Sequence, residues 1–568
     1  MNFDELLLTV QKPGRYIGGE WNSVRKDWDS ARIKVCLAFP DLYEVGMSYL
    51  GGKILYGILN ERDDCLCERA FSPWPDFEAV LRNNHLQLYS LESRRPLKDF
   101  DIIGFSLTYE LGYTNMLNML DLGGVAKKSS QRTGADPIVI AGGPSCYNPE
   151  PVTDFIDAFV IGDGEEVILE IVEAYENAKG RGQGRKEVLK RLAAIQGVYV
   201  PSFYRVEYTD DGKIGRYLPV EEGAPSKIKK RVVEDLDSAY YPVNQIVPNI
   251  QIVHDRLIIE IMRGCKHSCK FCQAASTYRP CRQRSVERII ELAKKAYATT
   301  GYDEISLLSL SSVDYSNIAE LIGRLNAEFS PKKVSVSVPS LRIEDALKDL
   351  PAMISQVKKT GLTFAPEAAS HALMRALNKD IDIERLYEAV LESFKSGWRH
   401  IKLYFMIGLP GESDDDIAAI SDMIYKISDL KRQVDGKTAH VTASINAFVP
   451  KPHTAFQKEP MASMEIIDNR VSLLRKAMKS RMVDIDFHSL KMAFLEAVFS
   501  RGDRRLAGVI LEAWYSGARF DGWQDKFNFN LWMGAFEKKG IDPAFYANRT
   551  RNADEPLPWD FIDLTSRP

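Results

Sequence analysis

The sequence predicts an α/β protein with an N-terminal doubly wound parallel sheet, a partial (β/α)6 barrel and a mostly helical C-terminal region. In the first part, apolar runs stop at glycine-rich or polar turns and lead into amphipathic segments, which is typical of buried parallel strands. Further along, six strand-and-helix units follow one another, as in an incomplete eight-fold barrel. These patterns divide the chain into an N-terminal extension (1–30), a doubly wound domain (31–180), a linker with a small β element (181–250), a barrel domain (251–460) and a helical, aromatic-rich region (461–568).

The predicted strands of the first domain lie at 35–39, 102–106, 138–141 and 159–161. Pro40 stops the first of them, Gly142 and Gly143 follow the third, and the turn 162–164 follows the fourth. Ligands of doubly wound sheets bind at the carboxyl ends of the strands. We therefore expect a ligand site at these turns.

The linker contains one hairpin signal, the turn Asp210-Asp211-Gly212 between two short β patterns. In the barrel domain, six candidate strands begin near Leu257, Glu304, Val334, Gly361, Ile401 and Val441. Helical patterns cover 286–297 and 318–329 within the barrel, and 464–479 and 490–498 beyond it. The active sites of such barrels lie at the carboxyl ends of the strands.

Composition narrows the class of protein. The 568 residues carry 74 basic and 78 acidic side chains, so the net charge of −4 gives no global attraction to nucleic acid or to an anionic membrane. No apolar run approaches the roughly 20 residues needed to cross a bilayer, and the acidic start does not resemble a secretory signal. The eight cysteines are sparse except for one tight cluster, which indicates a metal site in a reducing compartment. We expect a cytoplasmic protein without a membrane partner.

That cluster is formed by Cys265, Cys269 and Cys272, directly after the first barrel strand. Their spacing lets one short loop wrap three thiolates around a corner of a [4Fe–4S] cluster, and thiolates are the ligands that such clusters take. Three ligands for four irons leave one iron open to a chelating molecule. A structural zinc site is the alternative, with His267 or Cys281 as the fourth ligand of a closed tetrahedron; the position at a strand end favours the cluster.

The cysteine loop, with Phe271 before its last cysteine, resembles that of the radical S-adenosylmethionine (SAM) superfamily, and so does the segment from Met406 to Glu412. The resemblance implies that SAM binds the open iron through its amino and carboxylate groups. Reduction of its sulfonium would release methionine and a 5′-deoxyadenosyl radical, which takes hydrogen from an unactivated C–H bond. The expected partner is a single-electron reductant of the flavodoxin or ferredoxin type.

The resemblance also implies SAM contacts at the ends of the later strands. Ser311, Ser312 and Asp314 stand where the superfamily has a Gly-Gly-Glu-type turn for the methionine amino group, and they depart from its glycines. The remaining expected contacts are Ser337 and Arg342 after the third strand, Glu367 after the fourth, Gly408 and Pro410 after the fifth, and Val449 after the sixth. As alternatives, Glu367 is a carboxylate at a helix N-terminus and Gly408 a turn former.

The first domain resembles cobalamin-binding domains in the order of three motifs. They are Asp-x-Tyr-x-x-Gly with Asp41, Tyr43 and Gly46, then Ser-Leu-Thr from Ser106, then Gly142-Gly143. Together with the barrel, this arrangement resembles the cobalamin-binding subclass of the radical SAM superfamily. The resemblance implies that methylcobalamin passes its methyl group to a substrate radical.

Two residues depart from the cobalamin-binding pattern. Tyr43 replaces the histidine that ligates cobalt from below, and Thr108 replaces a leucine. A neutral phenol, with an unperturbed pKa of about 10, is a poor substitute for imidazole. Either cobalamin binds without a histidine ligand, or the domain has lost it and serves as a substrate-binding or structural layer; the sequence leaves both open.

Two further alternatives concern RNA. A methylthiotransferase-like, RNA-modifying enzyme would use a second cluster, for which Cys65, Cys67 and Cys146 have poorly matching spacing. A zinc-stabilised RNA-binding protein without catalysis would use the interleaved arginines and aromatics from Arg501 to Trp532. The favoured prediction is a radical SAM enzyme that carries out cobalamin-linked methylation, or a related C–H functionalisation, of an unidentified substrate.

Overall fold

The computed structural model describes residues 3–338 and 362–565. Within them, the N-terminal domain is built on a six-stranded sheet of order β2-β1-β3-β4-β5-β6, in which β6 alone runs antiparallel to its neighbour. The strands are β1 (Ile33–Phe39), β2 (Cys65–Phe71), β3 (Ile102–Ser106), β4 (Ile138–Gly142), β5 (Ala158–Val160) and β6 (Val198–Tyr199). The helices are α1 (Phe3–Leu7), α2 (Tyr43–Gly46), α3 (Leu50–Glu61), α4 (Pro75–Asn83), α5 (Tyr113–Leu122), α6 (Val167–Gly180) and α7 (Arg185–Ala193).

The order of the five parallel strands is that of a flavodoxin-like doubly wound sheet, so the predicted fold of this domain is confirmed. Such sheets bind their ligands at the switch point between β1 and β3. Strand β2 was not predicted, because Glu68 and Arg69 interrupt its apolar pattern. Both side chains are nevertheless buried, and Arg69 is neutralised there by Glu20 and Glu92 at 2.8 and 2.6 Å.

The linker holds the predicted hairpin and is tightly packed. Its strands β7 (Tyr204–Tyr208) and β8 (Ile214–Pro219) pair antiparallel around a turn in which Gly212 has a φ of +78°. A third strand, β9 (Ile228–Lys229), leads to a segment that two buried arginines clamp: Arg282 and Arg284 donate hydrogen bonds to the carbonyl oxygens of Val233 and Leu236.

The barrel consists of two parallel ladders in the described residues, β10-β13-β14 and β15-β16-β17-β18. Its strands, with the short hairpin β11-β12 beside the cysteine loop, are β10 (Leu257–Glu260), β11 (Met262–Arg263), β12 (Arg282–Gln283), β13 (Glu304–Leu308), β14 (Ser335–Ser337), β15 (Leu362–Glu367), β16 (His400–Ile407), β17 (His440–Ala447) and β18 (Val483–Phe487). The helices are α8 (Gln273–Thr277), α9 (Val286–Thr300), α10 (Ile318–Phe329), α11 (His371–Ala376), α12 (Ile383–Lys395), α13 (Asp414–Leu430), α14 (Arg432–Asp435) and α15 (Met464–Ala477).

The six predicted barrel strands are present, and β18 adds a parallel strand beside β17, beyond residue 460. This strand has no continuous apolar run, because Asp484 and Asp486 alternate with its apolar residues and one of its faces is exposed to solvent.

The C-terminal region is helical, as predicted, and packs on both domains. Its elements are α16 (Leu490–Ser500), α17 (Leu506–Tyr515), α18 (Phe529–Lys538), α19 (Pro543–Ala547) and β19 (Ile562–Asp563), and β19 pairs with β9. One continuous set of buried apolar side chains runs from the first sheet through the barrel into these helices. Among the described residues, no helix combines the length and apolar character that a membrane span requires.

Candidate functional site

The three clustered cysteines lie on one loop after β11, and all three are partly buried. The loop is held from two sides of the barrel: the Lys270 amide donates to Leu377 O at 2.9 Å, and the Phe456 amide donates to Lys270 O at 3.1 Å. The Asn378 side chain also donates to the carbonyl and hydroxyl oxygens of Ser268 at 2.9 and 2.7 Å. A loop that presents three thiols from fixed backbone positions fits the three-cysteine donor set of an iron–sulfur cluster.

A second group of potential ligands overlaps this loop. The ligand atoms of Cys265, His267 and Asp314 lie within 4.8 Å of one another, and they form the one group of three or more His, Cys, Asp or Glu ligands found in the described chain. His267 Nε2 and Asp314 Oδ2 share a hydrogen bond of 2.8 Å. Asp314, expected to contact SAM, thus ties the cysteine loop to the turn after β13.

The other residues after β13 and β14 that were expected to contact SAM have different surroundings from one another. Ser311 and Ser312 are fully buried, and the hydroxyl of Ser311 has no hydrogen-bond partner, so it is available to a bound group. The hydroxyl of Ser337 donates to Glu304 at 2.9 Å. Arg342 lies outside the described residues.

Glu367 ends β15 in a strained conformation, with a φ of +67° that non-glycine residues rarely adopt. Its carboxylate accepts a hydrogen bond of 2.9 Å from Lys379, and the side chains are only 17% and 9% exposed. The Lys379 ammonium also lies 5.9 Å from the ring of Phe271 in the cysteine loop. This buried ion pair therefore connects the end of the fourth barrel strand with the loop that carries the cysteines.

Gly408 directly follows β16 with a φ of +77°, and its amide donates to Glu412 Oε2 at 2.8 Å. Burial raises the pKa of Glu412 to about 7, against smaller opposing effects of the Gly408 amide and Arg470. Its other oxygen, Oε1, is buried without a partner. Pro410 is partly buried in the same turn, and Val449 is partly buried just after β17.

A cavity of about 480 Å³ lies between the two domains. One wall comes from the carboxyl ends of the first sheet, including Leu37 of β1 and Ser106 of β3, and thus from the switch point. The opposite wall comes from the barrel and includes Ile258, Met262 and Gly264, the residue next to Cys265. The volume lies within the usual range for ligand pockets.

Several glycines line the cavity, and Gly142 and Gly143, which the sequence analysis assigned to a ligand site, are among them. Gly143 has a φ of +113°, and a Cβ there would lie 2.6 Å from Leu107 O, so no other residue fits without strain. Near the cysteine loop the cavity has a charged edge, where Arg263 contacts Glu165 at 2.6 Å and Glu260 at 2.9 Å. The remaining surface is mainly apolar.

Asp41, Tyr43 and Gly46 do not line this cavity. The hydroxyl of Tyr43 donates to Glu20 at 3.0 Å, and its buried ring packs against Phe71, on the side of the N-terminal extension. Asp41 accepts a hydrogen bond of 2.9 Å from the indole of Trp523. The structure therefore brings Ser106, Gly142 and Gly143 to the cavity and places the first motif outside it.

Several residues considered for the two RNA alternatives are buried. Cys65, Cys67 and Cys146 form no three-ligand group in the described chain, and burial raises the pKa of each thiol. Arg501 is fully buried and donates to the carbonyl oxygens of Glu459 and Ala547. Trp514 and Trp532 are also buried. Arg501, Trp514 and Trp532 therefore stabilise the core and are not part of an exposed surface for RNA.

Sequence reasoning missed Tyr49, Lys379 and Lys451. Tyr49 lines the cavity six residues after Tyr43. Lys451 joins three regions, because its ammonium lies 2.8 Å from Glu110, from Glu496 and from the hydroxyl of Ser500. No local pattern predicted these contacts, which arise from the tertiary fold.

Two protein-family models match the chain and together span more than half of it. One is described as the N-terminal part of radical SAM proteins and matches residues 51–201; the other is described as the radical SAM superfamily and matches residues 259–424. An uncharacterized protein of Methanocaldococcus jannaschii is 26% identical over 515 residues, which are 89% of this chain and 97% of that protein.

Two further proteins are more distant. The anaerobic magnesium-protoporphyrin IX monomethyl ester cyclase of Cereibacter sphaeroides is 23% identical over 319 residues, 55% of this chain and 46% of that protein. The structure of the radical SAM methyltransferase TsrM of Kitasatospora setae, with cobalamin and a [4Fe–4S] cluster bound, has a TM-score of 0.54 at 12% identity and covers 90% of this chain and 99% of that one. At this low identity, the similarity to the TsrM structure shows a shared fold only. From the two family matches and the cysteine loop at the end of the first barrel strand, this chain belongs to the radical SAM superfamily.

Proposed function

We propose that this chain is a radical SAM enzyme that binds cobalamin between its two domains and methylates, or otherwise functionalises, a C–H bond of its substrate. The observation that carries the proposal is the cavity between the β1/β3 switch point and the cysteine loop. A cofactor held there would lie against the same loop that offers three thiols to an iron–sulfur cluster. The proposal unites both candidate sites in one reaction chamber.

The cavity suits a flat macrocycle. Its sheet side is lined by glycines within or just after the parallel strands, Gly104, Gly142 and Gly162 among them, which allow a planar group to approach the backbone closely. Apolar side chains such as Ile140 and Ile258 cover most of the remaining surface. At the charged edge, the carboxylates of Glu165 and Glu260 offer hydrogen-bond acceptors to amide groups at the periphery of the ring.

The residues of this chain would hold the cofactors and exclude water. Cys265, Cys269 and Cys272 would ligate three irons, and a bound cluster supplies the electron for reductive cleavage of SAM. The free hydroxyl of Ser311 and the strained end of β15 at Glu367 would bind polar groups of SAM, while the turn at Gly408 would lie near its adenine.

Anaerobic reconstitution tests the proposal. We expect about four iron and four sulfide per chain, a corrinoid absorption spectrum after addition of hydroxocobalamin, and reductive formation of 5′-deoxyadenosine. The variant with Cys265, Cys269 and Cys272 changed to alanine should lose the iron and the 5′-deoxyadenosine but still bind cobalamin. A wild-type protein that binds iron and forms 5′-deoxyadenosine without retaining any corrinoid would refute the cobalamin part.

One observation favours a second candidate, a zinc-stabilised protein. Cys265, His267 and Asp314 place three ligand atoms within 4.8 Å, which is compatible with part of a tetrahedral site. Metal analysis of the anaerobically purified protein separates the candidates, because one zinc without iron would support this one. Persistence of zinc in an Asp314→Asn variant would show that this group is not the site.

A further inference from the structure

One face of the second barrel ladder is polar along three neighbouring strands. On β16, β17 and β18, polar residues and one methionine alternate with buried or half-buried apolar ones, and all of them except Ser444 are partly or fully exposed. They are His400, Lys402, Tyr404 and Met406, then His440, Thr442, Ser444 and Asn446, then Asp484 and Asp486.

This polar face is the inner face of the barrel. On the opposite side, Leu403 and Phe405 of β16 and Val441 of β17 are fully buried, and α13 packs against β17. The helices of a strand-and-helix barrel cover its outer face, and in a closed barrel layers of bulky apolar side chains fill the interior. An inner face that is polar and accessible therefore indicates a compartment for a polar molecule.

Parallel pairing brings opposite charges together on this inner face. Lys402 pairs with Thr442, Thr442 with Asp484, and Ser444 with Asp486, so all these side chains leave the same side of the ladder. The spacing of strands and the rise per residue place the Cα atoms of Asp484 and Asp486 about 10 and 12 Å from that of Lys402. A small molecule that carries both a positive and a negative group fits between them.

Two of these charges have no ion-pair partner in the part of the chain that the structure describes. The half-buried Lys402 ammonium lies 4.9 Å from the ring of Tyr404, and the Asp486 carboxylate is exposed. Asp484, in contrast, contacts His440 at 3.1 Å. A partly desolvated charge is stabilised by an opposite charge, so Lys402 and Asp486 are available to a bound anionic and a bound cationic group, respectively.

We propose that this inner face binds the substrate of the radical reaction, and that the substrate is a small zwitterion of the α-amino acid type. The inference rests on the proposed function. The carboxylate of the substrate pairs with Lys402, its ammonium pairs with Asp486, and the ring of Tyr404 provides an apolar contact between the two.

The position of the charged residues sets the direction of the bound molecule. The inner face continues from Lys402 to Met406, two residues before the Gly408 turn that is expected near the adenine of SAM. About 13 Å of strand separates Lys402 from Met406. With its charged end held at Lys402, the substrate therefore points its side chain towards the ends of the strands, where the cysteine loop lies.

Saturation-transfer NMR of the anaerobically reconstituted protein tests the inference without any turnover. The probes are three mixtures: the twenty common L-amino acids, the amines formed by their decarboxylation, and the carboxylic acids formed by their deamination. We expect at least one amino acid to bind. The corresponding amine and acid should bind at least about tenfold more weakly, because each lacks one of the two charges.

Variants locate the binding site. Lys402→Met and Asp486→Asn should each weaken binding of that amino acid at least about tenfold, since each removes one charge-assisted hydrogen bond. Lys402→Arg keeps the cation and should retain binding. Lys395→Met is the matched control and should bind as the wild type does, because Lys395 ends α12 outside the barrel in an exposed pair with Glu392.

Three results would overturn the inference: a wild type that binds none of the twenty amino acids, equal binding of the amine or the acid, or wild-type affinity in Lys402→Met. Each leaves the proposed function intact when the same preparation holds iron and corrinoid and forms 5′-deoxyadenosine. A preparation that binds the amino acid but forms no 5′-deoxyadenosine would remove the proposed function and, with it, the assignment of the bound molecule as the substrate of a radical reaction.

Discussion

The ion pair between Glu367 and Lys379 makes the stability of the cysteine loop open to a quantitative test. Replacing Lys379 with methionine would leave a buried carboxylate at the end of β15 without its partner, 2.9 Å away. Breaking a buried pair typically costs 3–5 kcal/mol, and the 17% exposure of Glu367 places the expected cost at the lower end, about 3 kcal/mol. The loss should appear next to residue 379, where Leu377 O accepts the Lys270 amide of the cysteine loop.

Hydrogen exchange at the Lys270 amide in the metal-free protein measures this local opening. In Lys379→Met, protection should fall roughly a hundredfold, the equivalent of about 3 kcal/mol. The double variant Glu367→Gln/Lys379→Met should recover at least half of the lost free energy, because no buried charge is left unpaired. Lys426→Met is the matched control, since its pair with Glu384 is exposed and contributes about 0–1 kcal/mol.

Two results would refute the reasoning. If the double variant exchanged as fast as Lys379→Met, the cost would come from lost packing and not from an unpaired carboxylate. If Lys426→Met reduced protection at Lys270 equally, the effect would be global.

Three further predictions concern other parts of the chain. The folded-state pKa of Glu412 is raised from 4.5 to about 7, so its contribution to the free energy of unfolding is fully present below pH 4.5 and is lost as the pH rises towards 7. The free energy of unfolding of Glu412→Gln should therefore rise relative to that of the wild type between pH 5 and pH 8, by up to about 3 kcal/mol. Equal thermal midpoints of the two proteins at pH 8 would contradict this. Gly143→Ala should lower the thermal midpoint and the corrinoid affinity, whereas Gly134→Ala, with no heavy atom within 4 Å of the added Cβ, should change neither. Lys266 and Arg279 are exposed at the cysteine loop, where an acidic reductant such as flavodoxin would dock. Reversing both charges should therefore lower the ratio of flavodoxin-supported to dithionite-supported 5′-deoxyadenosine formation. An unchanged ratio would exclude docking at these residues.

The sequence predicted the strand-and-helix order well because parallel strands buried on both faces are continuous apolar runs. It failed where the pattern was polar. Strand β2 carries a buried Glu68 and Arg69, and β18 alternates aspartates with apolar residues. In both cases tertiary partners, and not local propensity, decide the conformation.

For the candidate site, the spacing of the cysteines predicted a shared loop, and the position of Gly142 and Gly143 after a strand predicted a turn at the sheet edge; the structure has both features. The remaining contacts depend on the direction in which a side chain leaves a loop, and spacing does not determine this. Tyr43 and Tyr49 flank one helical turn, yet only the second lines the cavity. Lys379 comes near the cysteine loop only through the tertiary fold, which places its ammonium 5.9 Å from the ring of Phe271.

The arginine clamp on the linker has a consequence for how the enzyme is assembled. The first sheet contributes one side of the chamber and the barrel the other, and Arg282 fastens the connecting segment to Asp163, a residue of the chamber rim. Neither half expressed alone would possess an enclosed compartment. The compartment is therefore a property of the whole polypeptide and forms only once the two halves have docked.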